Sequence, residues 1–203
     1  MSLKKLFIVR FGIQFLLVVV LMILTLLLFK NQRALYMSED VHYKSHLLAD
    51  ELRQGSRDLT RMARTYVVTG NAEFEREYWT ILNIRNGESP RPINYNHIYV
   101  DFMLITGEKP SPDGEAISLH DLMVYAGFTQ AEFDKLAIAQ RISDELVSTE
   151  RIAMNAVKGL FDDGSGNFTV KKKPDGEMAI RIMFDEAYFK TKAEIMKPID
   201  DFF

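Results

Sequence analysis

The sequence predicts an all-α protein: an elongated antiparallel four-helix bundle with one composite arm of short helices, preceded by a transmembrane helix. Three observations carry that expectation. Leu6 to Phe29 is an almost unbroken apolar run. Beyond it, long stretches repeat their apolar residues at helical spacing, and prolines cluster between residues 90 and 112, where only short elements fit.

The apolar run comes first. From Phe11 to Phe29 only Gln14 and Thr25 bring polar side chains. About 19 residues at 1.5 Å each cover the ~30 Å of bilayer hydrocarbon. A buried core helix of this length would carry a polar face, and none is present. Lys4, Lys5 and Arg10 precede the run, against Lys30 and Arg33 after it. This bias points the N-terminus at the cytoplasm. A cleaved signal peptide is the competing reading, but no small-x-small site follows in Phe29-Lys30-Asn31-Gln32-Arg33-Ala34-Leu35. The expected organisation is therefore a cytoplasmic tail at 1–5, an uncleaved membrane anchor at 6–29 and a helical domain outside the cytoplasm at 30–203.

The first bundle helix continues from the anchor to about Val68. Val41, Leu48, Leu52, Gly55, Leu59, Met62 and Tyr66 recur at spacings of seven, four and three, a coiled-coil-like stripe. Thr69-Gly70-Asn71 breaks it. A second helix runs from about Ala72 to Asn86 and closes at Gly87. Ser89-Pro90-Arg91-Pro92 is extended. Tyr95 to Ile105 reads as a short helix, Gly107 to Gly114 as a second break, and Ser118 to Tyr125 as another short helix.

The next long helix opens on a capping box, Thr129-Gln130-Ala131-Glu132. Its stripe is Phe133, Leu136, Ala139, Ile142, Leu146, Ile152, Ala156 and Leu160, and Gly164-Ser165-Gly166 ends it. The last begins near Asp175 with Ile180, Met183, Ala187, Thr191, Ile195 and Ile199, and Pro198 sits in its final turn. The first and third helices, at about 35–38 residues, would each be ~50–57 Å long. The short elements between them must then carry the chain back along the bundle.

Charge and chemistry narrow the function. Residues 1–33 hold five of the 25 basic residues and no acid, which leaves 20 bases against 28 acids, a balance of −8, in the remainder. That domain has no electrostatic footprint for nucleic acid. Without cysteine there is no disulfide, thiolate nucleophile or Cys metal site, and a domain of about 170 residues needs no staple. No Walker A, GxSxG or HExxH pattern occurs, so neither enzymatic activity nor a cofactor is expected. Gly164-Ser165-Gly166-Asn167 follows a helix rather than a strand, against a phosphate-cradling role. Lys171-Lys172-Lys173 reads as a solvated turn, and Asn167-Phe168-Thr169 matches a glycosylation sequon.

Two groups of residues invite a ligand. His42 and His46 share a helix face at i, i+4 beside Glu39 and Asp50, a metal-competent spacing that is equally a solvated face. Arg61 to Asn86 concentrates Arg61, Arg64, Tyr66, Tyr78, Trp79, Arg85 and Asn86 around one interhelical turn. Arginine forks with aromatic walls can bind a small anion. Equally, the aromatics can be core and the arginines can pair with Asp58, Glu73, Glu75 or Glu77.

Several strings in this order resemble a known kind of domain: Leu48 to Gln54, Asp58 to Arg61, Arg64 to Gly70, Trp79 to Gly87, Ile152 to Asp162 and Ile195 to Phe202. They are similar to the exported helical input domain of bacterial transmembrane sensors, namely methyl-accepting chemotaxis proteins, diguanylate cyclases and sensor kinases. The resemblance implies a periplasmic domain on an inner-membrane anchor, packed as a homodimer. It also implies that a small-molecule ligand or a periplasmic binding protein moves the last helix against the first. Chemotaxis is the output expected. A membrane-anchored scaffold for a periplasmic protein partner is the alternative from another class, and a metal sensor using His42 and His46 is a third.

Overall fold

The computed structural model describes residues 3–95 and 99–203, and side chains outside 3–6, 8–9 and 33–41. Residues 96–98 of the expected helix from Tyr95, His97 among them, fall outside the described residues, as do the side chains of Glu39 and Val41. The chain divides into two units, Met1–Lys44 and Ser45–Phe203. It is helical almost throughout: α1 (Leu3–Thr69), α2 (Ala72–Asn86), α3 (Tyr99–Thr106), α4 (Leu119–Tyr125), α5 (Gln130–Val157), α6 (Gly176–Phe184) and α7 (Glu186–Asp200). One small hairpin, β1 (Leu160–Phe161) with β2 (Val170–Lys171), separates α5 from α6.

In the first unit, Arg10–Gln32 is long and apolar enough to cross a membrane, and its apolar stretch is not buried. It is the one such segment among the described residues. Side chains from Phe11 to Phe29 that would be sequestered in a soluble core are here exposed, apart from half-buried Val19.

In the second unit, local chemistry sets the boundaries. Asn71 caps α2 by accepting from Glu73 N at 3.0 Å, and Gly87, at φ 76°, ends it in the left-handed conformation. The two Pro/Gly breaks pair with each other: Arg91 N donates to Glu115 O and Gly114 N to Arg91 O, at 2.9 and 2.7 Å. The capping box at Thr129 forms in both directions.

Two expectations are corrected. The third long helix does not reach Gly164; it stops at Val157, and Gly159 at φ 72° turns the chain into β1. The fourth is two helices, because Asp185 takes extended backbone and its carboxylate accepts from Tyr188 N at 2.8 Å. A side chain that satisfies a free helix-start donor offers the backbone an alternative to continuing. The interruption resets the helical phase downstream, so Ala187, expected inward, is exposed while Tyr188 is buried; within α6, Ile180, also expected inward, is exposed beside buried Ala179. On α5, Ile152 likewise faces out and Ala153 in.

The core joins Leu52, Leu59, Met62 and Tyr66 of α1 to Tyr78 and Ile81 of α2, Leu146 and Met154 of α5, Met183 of α6 and Ile195 of α7. Polar contacts fix directions. Arg64 reaches Met183, Thr60 reaches Tyr188 and Ser56 reaches Lys192, so α7 runs antiparallel to α1. Tyr78 meets Glu150 and Arg85 meets Ser143, so α2 and α5 are also antiparallel.

Candidate functional site

The most polar part of this core is centred on Glu150, which is 1 % exposed. On α5 it occupies the apolar stripe, one turn from Leu146 and from Ala153. The Tyr188 hydroxyl donates to its Oε1 at 2.6 Å and the Tyr78 hydroxyl to its Oε2 at 2.8 Å. Thr60 Oγ1 lies 3.3 Å from Oε1 and 3.0 Å from Ser56 O, with one proton to share between them. Lys192 donates to Ser56 O, Ser56 Oγ and Thr60 Oγ1 at 2.5, 2.9 and 2.9 Å. One carboxylate thus ties α5 to α2 and α7, and through Thr60 to α1 and Lys192.

The electrostatics follow from burial. Desolvation raises the Glu150 carboxyl above the usual carboxylate range, opposed by the two tyrosine hydroxyls, Lys192 and Thr60. Burial likewise pushes Tyr78 and Tyr188 above an ordinary phenol, with the Glu150 charge adding to it. Lys192 is held down at about 8, first by burial and then by Arg57 and Arg64, with Glu150 pulling the other way.

This lysine gives a pH signature. Between about pH 8 and 10 the unfolded chain keeps the Lys192 proton and the folded chain has lost it, so stability rises with pH. Urea denaturation should show a gain of about 1–2 kcal/mol across that window, absent from Lys192→Met. Above about pH 10 the sign reverses, because the buried tyrosines keep protons that the unfolded chain releases.

The arginine and aromatic residues singled out by sequence are distributed over several structures. Arg61 is exposed and bridges Asp58 and Asp101, at 3.1 and 2.5 Å. Arg64 donates Nε and Nη2 to Met183 O at 3.1 and 2.8 Å, near the end of α6, under the rings of Phe184, Tyr188 and Phe189. Tyr66 is buried, its hydroxyl raised by burial and by Glu75. Trp79 packs edge-on against Tyr78 at 5.2 Å. Arg85, 7 % exposed, spans from α2 to Ser143 Oγ and Asp144 Oδ1 at 3.1 and 2.8 Å, and Asn86 Oδ1 accepts from its Nε at 3.4 Å.

Arg85 and Asn86 line an open groove of about 1130 Å³ between α2, α4 and α5, floored by Leu119, Met123, Phe133 and Leu136. Arg85 also borders a second, narrower cavity of about 410 Å³ against α1. The two histidines fall in different units. His42 is exposed in the first. His46, in the second, stacks on Phe203 at 5.2 Å and meets Phe202 edge-on at 6.1 Å. Among the described residues no group of three His, Cys, Asp or Glu side chains is placed to hold a metal ion.

Sequence reading missed Thr60, Glu150, Tyr188 and Lys192 as a unit. The available signal was a charge in phase with an apolar stripe, Glu150 between Leu146 and Ala153 and Lys192 one turn before Ile195. Comparison with protein-family models, with curated proteins and with solved structures finds no match.

Proposed function

We propose that the chain is the extracytoplasmic ligand-sensing input of a bacterial transmembrane signal transducer of the methyl-accepting chemotaxis type. In this reading it is anchored in the inner membrane with its N-terminus in the cytoplasm and works as a homodimer. The domain is a four-helix bundle of α1, α2 with its short helices, α5, and α6 with α7. The observation that carries the reading is the return of α7 along α1, with Phe202 and Phe203 against His46, the residue by which α1 enters the second unit. A sensory input must bring a change back to the end where its chain came in, and an antiparallel last helix has that geometry. The resemblance of Ile152–Asp162 and Ile195–Phe202 to such inputs supports the same reading.

The mechanism is a population shift between two packings of α7 on α1. The Glu150 cluster holds one register, and ligand binding favours the other. To test it, residues 1–203 are placed ahead of the second span and signalling half of a chemoreceptor in a receptorless strain. The chimera should bias swimming, and Lys192→Met should shift that bias; an alkaline phosphatase fusion at Phe203 should be active. A membrane-inserted chimera that leaves swimming unchanged, or an inactive phosphatase beside an active cytoplasmic reporter, would overturn the reading.

A further inference from the structure

The narrower cavity, of about 410 Å³, lies between α1 and the elements facing it. Its α1 wall carries Glu51, Gln54 and Asp58 at one-turn spacing, with Gly55 beside Gln54 and with Leu47 and Leu48 one turn before Glu51. Opposite are Ile81, Tyr95, Val100 and Leu119. The volume falls within the range of small-molecule sites. At Gly55 the wall is deliberately low: a Cβ built there meets nothing within 4 Å. Glycine weakens the interior of a helix relative to alanine. Its occurrence here coincides with open space that any larger side chain would take.

Of the polar lining side chains, Glu51 and Asp58 only accept, Gln54, Asn94 and Tyr95 can donate or accept, and Arg85 only donates. Asp58 is 5 % exposed, with Gln54 Nε2 donating to it at 3.3 Å and Arg61 at 3.1 Å. Glu51 pairs with Arg91, whose guanidinium lies 5.1 Å from the centre of the Tyr95 ring. A carboxylate offers about four lone-pair directions and so accepts from several donors at once. Burial, first, and the charges of Glu51 and Asp58 raise the Tyr95 hydroxyl, with Arg91 opposing them, so a neutral phenol lines the cavity. The one arginine on the lining, Arg85, directs its fork to Ser143 and Asp144 on α5.

We infer that this cavity binds a small organic ammonium ion, its cationic head on Glu51 and Asp58 and its apolar body on Ile81, Val100 and Leu119. The assignment deepens the sensory reading and rests on it, by naming what the input detects. The test uses the full chain in nanodiscs, titrated calorimetrically with phenethylammonium, 2-phenylethanol and phenylacetate as cation, neutral and anion of similar bulk. Saturable binding of the ammonium alone is expected, weakened about tenfold or more by Gly55→Leu and by Asp58→Asn. Gly55→Leu should keep or raise the melting temperature, since it fills space and removes a helix glycine. Asp58→Asn is isosteric and covers the case in which the filled variant fails to fold. Equal binding of the alcohol or the carboxylate would overturn the ligand class, and undiminished binding by both variants would overturn the location. No saturable binding at all would remove the site; with a swimming bias from the chimera, the sensory reading would survive it.

Discussion

Glu150→Leu is expected to destabilise the domain by about 3–5 kcal/mol, the range for removing one partner from a buried charged network. Leucine fits the apolar stripe of α5, so the loss would not come from packing. It would come from what remains: the Tyr78 and Tyr188 hydroxyls without their acceptor, and Lys192 without the carboxylate that offsets Arg57 and Arg64. In thermal unfolding of the full chain this should appear as a fall of roughly 10 °C or more. Glu150→Gln keeps one acceptor oxygen and should cost less, about 1–3 kcal/mol. The double variant Glu150→Leu, Lys192→Met should recover part of the loss, because both ends of the charge interaction leave together. A single-variant melting temperature within about 2 °C of the parent would mean that water or rearrangement already satisfies these groups.

The same cluster explains why α7 can hold a defined register. Buried apolar side chains such as Met62 and Met183 tolerate sliding, because burial rewards no particular atom. Hydrogen bonds of 2.5–2.9 Å from Tyr188 to Glu150 and from Lys192 to Ser56 and Thr60 do not. A shift of one helical turn, ~5.4 Å, would break all of them together. Arg64 adds a second pin by chelating Met183 O where α6 gives way to α7. These are the ingredients of a bistable element in the proposed mechanism, with discrete rather than graded positions.

Much of the helical layout was legible in the residues because its signals are local. The Thr129–Glu132 box, the Gly87 stop and the α1 stripe from Leu52 to Tyr66 each depend on near neighbours, and each is found where the spacing put it. What escaped was decided by distant partners. Asp185 reads as one more polar residue on a helix until Tyr188 must turn inward to meet Glu150. Leu160 continues the α5 periodicity, yet it enters a strand because Lys171 lies opposite. The ligand-type residues show the same limit. Arg61, Arg64 and Arg85 are close in sequence but face different partners, Asp101, Met183 and Asp144. Composition can gather arginines and aromatics into a segment, but helix phase decides which of them meet.

Gly159 is where a small substitution should have the second large effect. Its φ of 72° lies in the region that side chains avoid, and a Cβ there would stand 2.4 Å from Lys172 O and 3.2 Å from Pro174. Both neighbours are fixed: Lys172 N donates to Gly159 O at 2.9 Å, and Asp175 N donates to Ala156 O at 2.9 Å. The clash is with backbone, so no side-chain rotation can relieve it. Relief requires the β1–β2 hairpin to move away from the end of α5, and with it the start of α6, whose Ala179 and Met183 are buried. Gly159→Ala is therefore expected to cost about 2–4 kcal/mol, well above the ~1 kcal/mol of an ordinary loop-glycine change. Gly164→Ala, in the exposed tip of the same hairpin where nothing lies within 4 Å, supplies the control. It shares the positive φ, at 95°, but not the clash, so it should cost about 1 kcal/mol. Equal losses for the two variants in urea denaturation would mean that conformational strain alone governs both glycines. A larger loss at Gly159 would assign the difference to the contact with Lys172, which joins the end of α5 to the start of the returning helices.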